Sequence, residues 1–162
     1  DPKREKPFET ANMLLLSPGA SQMYYGDESA RSLVIEDTDG DATLRSNMNW
    51  NAIDNDPKTQ KILAHWQKLG QFRNTHPAVG AGVHQMISEL PYTFSRRYED
   101  VNFKDVVVVA MDVPVGKKEI SVKDVFEEGT LLVDAYSNQE VTVVYGQVQL
   151  QSEFDMVLLE QK

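Results

Sequence analysis

Apolar positions along the chain follow two different rules. Between Phe8 and Val79 they recur at helical spacing in two stretches, with one short apolar run between them. From Val83 onward they alternate in short segments divided by turn residues. The first stretch predicts a helix over roughly 7–16. Pro7 suits a first helical position, where a missing N–H costs nothing. Phe8, Ala11, Asn12 and Leu15 fall on one face, and the run 13–16 is apolar almost all round. Ser17-Pro18-Gly19 ends this helix, because proline cannot continue the ladder and restricts the residue before it. The run 21–25 then predicts a buried strand, closed by Gly26-Asp27-Glu28. From 29 to 56 the chain is a long connection rich in Asp, Asn and Ser, and such a loop in a compact domain is usually functional or covered. Asp56-Pro57 opens a second helix with a capping carboxylate followed by proline. Ile62, Leu63, Trp66 and Leu69 supply its apolar stripe, and Thr75-His76-Pro77 ends it.

Beyond a Gly80-Ala81-Gly82 hinge the pattern predicts strands over 83–87, 92–98, 105–112, 130–136, 140–145, 147–151 and 156–160. Alternation is clear in Val141-Thr142-Val143 and in Val148-Gln149-Leu150-Gln151, as in sheets with one wet face. The run 106–110 is apolar throughout, which suits a central strand covered on both sides. Regularly spaced short strands of this kind argue for an all-β antiparallel sandwich.

Composition removes several function classes. Sixteen basic against 25 acidic side chains give a net charge of −9, which repels phosphate backbones and argues against a nucleic-acid partner. No cysteine is present, so disulfides and thiolate metal sites are excluded, while the compartment stays open. The longest apolar runs are too short to span a bilayer. The start, Asp1-Pro2-Lys3-Arg4, has neither initiator Met nor an apolar signal core. It fits a mature terminus or a cut within a longer protein, and the motifs below favour the cut.

The segment 14–28, Leu-Leu-Leu-Ser-Pro-Gly-Ala-Ser-Gln-Met-Tyr-Tyr-Gly-Asp-Glu, resembles a signature of the α-amylase family of glycoside hydrolases. There, a leucine helix, a Pro-Gly turn and a strand ending Tyr-Tyr-Gly-Asp-Glu form the seventh helix and eighth strand of a (β/α)8 barrel. Residues 44–50 resemble the family's Arg-Thr-Pro-Met-Gln-Trp element and depart from it at Ser46, Asn47 and Asn49. Residues 66–78 resemble its last barrel helix, with the Leu69, Arg73 and Pro77 of that ending in place. The β-rich remainder is similar to its C-terminal antiparallel sandwich. The resemblance implies an α/β fragment, the last helix-strand-helix of a (β/α)8 barrel over 1–79, followed by an all-β sandwich over 80–162. It also implies a parent that is a retaining α-glucan hydrolase, in which one carboxylate attacks the anomeric carbon and a protonated carboxyl assists the leaving oxygen. Those carboxylates would precede Asp1, so the chain itself is expected to hold no catalytic residue. The expected partners are an α-glucan or maltooligosaccharide, met through the parent barrel, and the upstream barrel itself. A chain cut there would expose the apolar faces of 13–16 and 24–25 and is expected either to self-associate through 8–28 or to leave that region mobile. An extracytoplasmic location is favoured, because polysaccharides are usually met outside the cytoplasm.

Tyr25, Asp27, Arg45 and Trp50 are the candidate substrate-binding residues. Tyr25 and Asp27 would sit where a barrel strand meets its active face. By resemblance, Arg45 would bond sugar hydroxyls or a carboxylate, and Trp50 would stack on a glucose ring. For each, packing or loop-clamping accounts for the same residue. Asp27 and Glu28 do not make an acid pair, since neighbours on an extended chain point to opposite sides. Asp37, Asp39 and Asp41 are spaced like a calcium loop, but Ala42 and Met48 stand where an EF-hand needs Gly and Glu. No metal or cofactor is assigned to this chain, and calcium is left open for the parent. His65, His76 and His84 are not expected to cluster. Tyr92, Phe94 and Tyr98 share one face of a strand and read as core in preference to a carbohydrate platform. A rival reading is a non-catalytic carbohydrate-binding or adhesive β-sandwich module with a helical extension. It leaves the Tyr-Tyr-Gly-Asp-Glu segment without a purpose.

Overall fold

The computed structural model describes Asp1 and residues 3–162 and divides into two compact units, 1–71 and 72–162. The first unit is helical. Helix α1 (Pro7–Leu16) begins at proline, and the Asp1 carboxylate accepts the amides of Glu5 and Lys6 just ahead of it, at 2.9 and 2.8 Å. Ala11, Leu15 and Leu16 are buried. Helix α1 is tied to a long helix, α3 (Pro57–Thr75), because the Trp66 indole donates to the Pro7 carbonyl at 3.2 Å and His65 bonds Asn12 at 2.9 Å. The Asp56 carboxylate caps α3, accepting the Thr59 amide at 3.1 Å and the Thr59 hydroxyl at 2.7 Å. Ile62, Trp66 and Leu69 form the buried stripe expected of them, with Leu63 half-buried at its margin.

Two features differ from the pattern-based expectation. The run 21–25 does not form a strand. Its residues are apolar enough for one, but every strand among the described residues lies beyond Val83, so the run has no neighbour to share backbone hydrogen bonds with. The polar connection 29–56 is more ordered than its composition suggests. A 3-10 turn at Asp27–Ser29 leads into it, and it holds another at Gly40–Leu44 and a short helix, α2 (Trp50–Asn55).

The second unit opens with the last turn of α3 and a short helix, α4 (Pro77–Ala81). Helix α4 takes in most of the expected hinge and leaves Gly82 as the link. A Cβ at Gly82 would lie 2.5 Å from the Ala78 carbonyl oxygen, so only glycine fits. Eight strands follow: β1 (Val83–Ser88), β2 (Tyr92–Glu99), β3 (Lys104–Met111), β4 (Gly116–Ser121), β5 (Leu131–Asp134), β6 (Gln139–Thr142), β7 (Gln147–Ser152) and β8 (Met156–Gln161). They form a six-stranded sheet in the order β1-β2-β3-β8-β5-β6 and a two-stranded sheet β4-β7, all antiparallel.

Val108, Ala110, Leu132, Val157 and Leu159 of the large sheet meet Ile120, Val148 and Leu150 of the small one in a single core. Central β3 buries Val107, Val108, Val109 and Ala110 completely, so both of its faces are covered. Strand β4 escapes the sequence pattern because its inward positions are Lys118 and Ile120. The Lys118 ammonium is buried by donating to the carbonyls of Pro114 and Ser152, at 2.8 and 3.1 Å. Desolvation lowers its pKa. Phe94 is buried and Tyr92 and Tyr98 are half-buried, so the aromatic stripe of β2 is mostly core.

A buried carboxylate–histidine–carboxylate group fastens the helical corner to the sheet. His76 Nδ1 meets Asp105 Oδ1 at 2.8 Å and Nε2 meets Glu160 Oε2 at 2.5 Å, while Asp105 Oδ2 accepts the Ala78 amide at 2.8 Å.

Candidate functional site

The segment that follows the Pro-Gly turn folds around Arg31, which is 1% exposed. Its Nε donates to the Tyr25 carbonyl at 3.0 Å, Nη1 to the Ser46 carbonyl at 2.9 Å and to the Ser46 hydroxyl, and Nη2 to the Leu44 carbonyl at 3.2 Å. The guanidinium also lies 3.9 Å from the centroid of the Tyr25 ring, close enough for a cation–π contact. A planar fork of donors is what can hold three carbonyls at once. Gly26 makes room for it. Its φ of +83° is a left-handed conformation, and a Cβ there would meet Arg31 Nε at 2.5 Å.

Around this hub the structure places the sequence-predicted residues unevenly. Tyr25 is 44% exposed, and its hydroxyl donates to the Ser46 carbonyl at 3.2 Å. Asp27 accepts Arg4 Nη2 at 2.6 Å and the Tyr24 amide at 3.2 Å, so its carboxylate is engaged in closing the loop. Arg4 Nε in turn donates to the Arg31 carbonyl at 2.8 Å. Tyr25 and Asp27 are therefore brought together. Arg45 lies between two residues whose carbonyls Arg31 grips, and it is exposed. Trp50 begins α2 with 65% of its surface open.

Sequence reasoning missed Arg31, Ser29, Ser46 and Asn49. Ser46 and Asn49 are two of the three departures from the family's element, and both are hydrogen-bonded here. Ser46 holds Arg31, while Asn49 exchanges bonds with the hydroxyl and carbonyl of Ser29, at 2.7 and 2.9 Å. An arginine close behind Gly26 was the available signal. One carboxylate oxygen of Glu28 is shielded from solvent and has no hydrogen-bond partner among the described residues. Asp37, Asp39 and Asp41 are exposed. Among the described residues no three His, Cys, Asp or Glu side chains gather as metal ligands. No helix among them is long and apolar enough to cross a membrane. Chemically, the cluster leaves part of the Tyr24 and Tyr25 surface open beside the Arg4-bound Asp27 carboxylate.

No family model matches the chain. It is 42% identical over 98 residues to the periplasmic α-amylase of Escherichia coli K12, a match covering 60% of the chain and 14% of that protein. The α-amylase of Geobacillus thermoleovorans, solved with acarbose, superposes with a TM-score of 0.67 at 19% identity, over 100% of this chain and 34% of its own. An Anoxybacillus α-amylase gives 0.63 at 20% identity, over 100% and 33%. AmyP, solved with maltose, gives 0.64 at 15% identity, over 98% and 34%. The chain thus spans a small part of the curated relative and about a third of each solved enzyme. In sequence and in fold alike, it resembles the C-terminal portion of an α-amylase-family enzyme.

Proposed function

We propose that this chain is the C-terminal part of a retaining α-glucan hydrolase. Residues 1–79 close its catalytic barrel and 80–162 form its C-terminal sandwich. The observation that carries the reading is the run 21–25, apolar yet unpaired, with Met23, Tyr24 and Tyr25 from 43 to 50% exposed. A barrel strand without its neighbours has this character, since it needs partners on both edges. The shielded, unpartnered oxygen of Glu28 supports the same idea, because a donor from an adjoining segment would satisfy it. In the parent, Tyr25 and Asp27 border the sugar-binding end of the barrel, and Arg45 and Trp50 reach towards bound glucan from the following loop. The two reacting carboxylates belong to the upstream barrel. The parent acts outside the cytoplasm, as befits an enzyme of polymeric glucans, and the sandwich steadies the barrel without entering the chemistry.

The test compares parent and chain on soluble starch, following new reducing ends. An active parent beside an inert chain is the expected result. A parent inert on starch, or a chain that cuts it unaided, would refute the proposal. The chain alone should also either self-associate through 8–28 in sedimentation or leave that segment open to hydrogen exchange. A strictly monomeric chain with that segment protected from hydrogen exchange would count against the barrel assignment.

A further inference from the structure

A groove of about 430 Å³ opens in the sandwich where the end of β7 meets the starts of β4 and β6. It is open to solvent along its length, so a ligand would lie across it and not be enclosed. Val115 and Phe154 give it apolar surface, and Gln139, Gln151, Ser152 and Glu153 give it polar groups. The Phe154 ring is set edge-on to Tyr136, with centroids 5.1 Å apart at 76°. The Gln139 side chain is anchored across to β7, donating to the Gln151 carbonyl at 2.7 Å and accepting its amide at 3.4 Å. Behind it, the buried Lys118 ammonium is occupied by the carbonyls of Pro114 and Ser152.

Ser152 is 7% exposed, and its hydroxyl oxygen has no hydrogen-bond partner among the described residues. A buried hydroxyl left unpaired costs about 1–3 kcal/mol. By the alternation of β7 its side chain is on the inward side with Val148 and Leu150, at the base of the groove.

The lining restricts the ligand's chemistry. It contains no basic side chain, and Glu153 together with the chain's net charge of −9 repels carboxylates and phosphates. A purely apolar ligand would cover the exposed Gln151 side chain and Glu153 without offering either a partner. A neutral ring with an apolar C–H face and a rim of hydroxyls answers both demands. We propose that this groove binds pyranose units of a neutral oligosaccharide, as a second sugar site on the sandwich apart from the Arg31 cluster. That the sugar is an α-glucan rests on the hydrolase reading above.

The test titrates the isotope-labelled full chain with maltoheptaose and, separately, with cellohexaose, following backbone amides by NMR. Maltoheptaose should shift Gln139, Gln151 and Ser152 with a Kd of about 1 mM, a weak single-site affinity. Phe154→Ala, and Val115→Arg at a position 67% exposed, should each weaken binding at least about tenfold with the remaining spectrum unchanged. The exposed arginine variant keeps the test open if loss of the Phe154 ring disturbs the fold. Silence of these amides towards both sugars up to about 20 mM, or wild-type affinity in both variants, would overturn the groove. A response to cellohexaose alone would overturn the α-glucan assignment. Starch hydrolysis by the parent reports on the hydrolase reading separately, since an active parent with a silent groove removes only this inference.

Discussion

Replacing Arg31 tests whether one buried cation organises the candidate site. Of its four bonds to backbone carbonyls the three shorter ones are charge-assisted, and at the low end of their range each contributes ~1.5 kcal/mol, the fourth, to Ser32, being long at 3.5 Å. The contact with the Tyr25 ring adds ~1 kcal/mol. Removing the guanidinium also removes its own desolvation cost of several kcal/mol, which leaves a net loss of ~2–3 kcal/mol. Arg31→Met keeps the stem without the fork, and Arg31→Lys keeps the charge but reaches fewer carbonyls. The loss should be local, so hydrogen exchange is the assay of choice. In Arg31→Met, amides within 24–49 should exchange roughly 30- to 150-fold faster while those of β2 and β3 hold their rates. Gly26→Ala should disturb the same amides, because its new methyl would press on Arg31 from a left-handed backbone. Acceleration below about threefold, or equal acceleration in both units, would show that the loop does not depend on Arg31.

Three further outcomes follow from the second unit. Partial desolvation, and then the neighbouring Arg96, lower the pKa of the exposed His84 from 6.5, and Arg96 Nε donates to its Nδ1 at 3.0 Å, a bond that only the neutral ring can accept. The folded state therefore resists protonation, so stability is undiminished above 6.5 and falls as pH drops towards the lower folded pKa. An NMR titration of His84 with its midpoint at or above 6.5 would contradict this. The Tyr136 phenol is pushed from 10.0 up to about 12, by burial first and then by Asp155 and Asp134. Because the unfolded chain ionises first, stability declines as pH rises from 10.0 towards about 12, and ultraviolet titration should find one phenol ionising late and Asp155→Asn bringing it down. His76→Ala leaves Asp105 and Glu160 without their shared partner and should cost the second unit about 3 kcal/mol in urea unfolding. A change below about 0.5 kcal/mol would make the cluster incidental.

Much of the sandwich was legible because its strands carry their own period. Val148 and Leu150 point inward and Gln149 and Gln151 outward, as alternation requires. Strand β4 was hidden because a lysine takes a core position, and only tertiary carbonyls make that tolerable. The run 21–25 misled for the opposite reason. Local composition favours a strand there, but pairing is a property of neighbours that these residues do not contain. In the candidate site, Tyr25 and Asp27 stood out by motif, whereas Arg31 did not. An arginine in a polar loop gives no periodic signal, and its role rests on carbonyls 6, 13 and 15 positions away.

The position of β8 has a consequence for how the molecule is made. The last six-residue strand in the sequence, Met156–Gln161, is not an edge of the large sheet but its middle, between β3 and β5. Until it emerges during synthesis, β1-β2-β3 and β5-β6 are separate pieces, each with an open apolar edge. Pairings of such long sequence separation form slowly. A nascent chain ending before Met156 therefore lacks Met156, Val157, Leu158 and Leu159, four deeply buried residues, and with them the strand that joins the rest of the core. It is the form most in need of a chaperone, and a chain shortened by those few residues should misassemble instead of folding into a smaller sandwich.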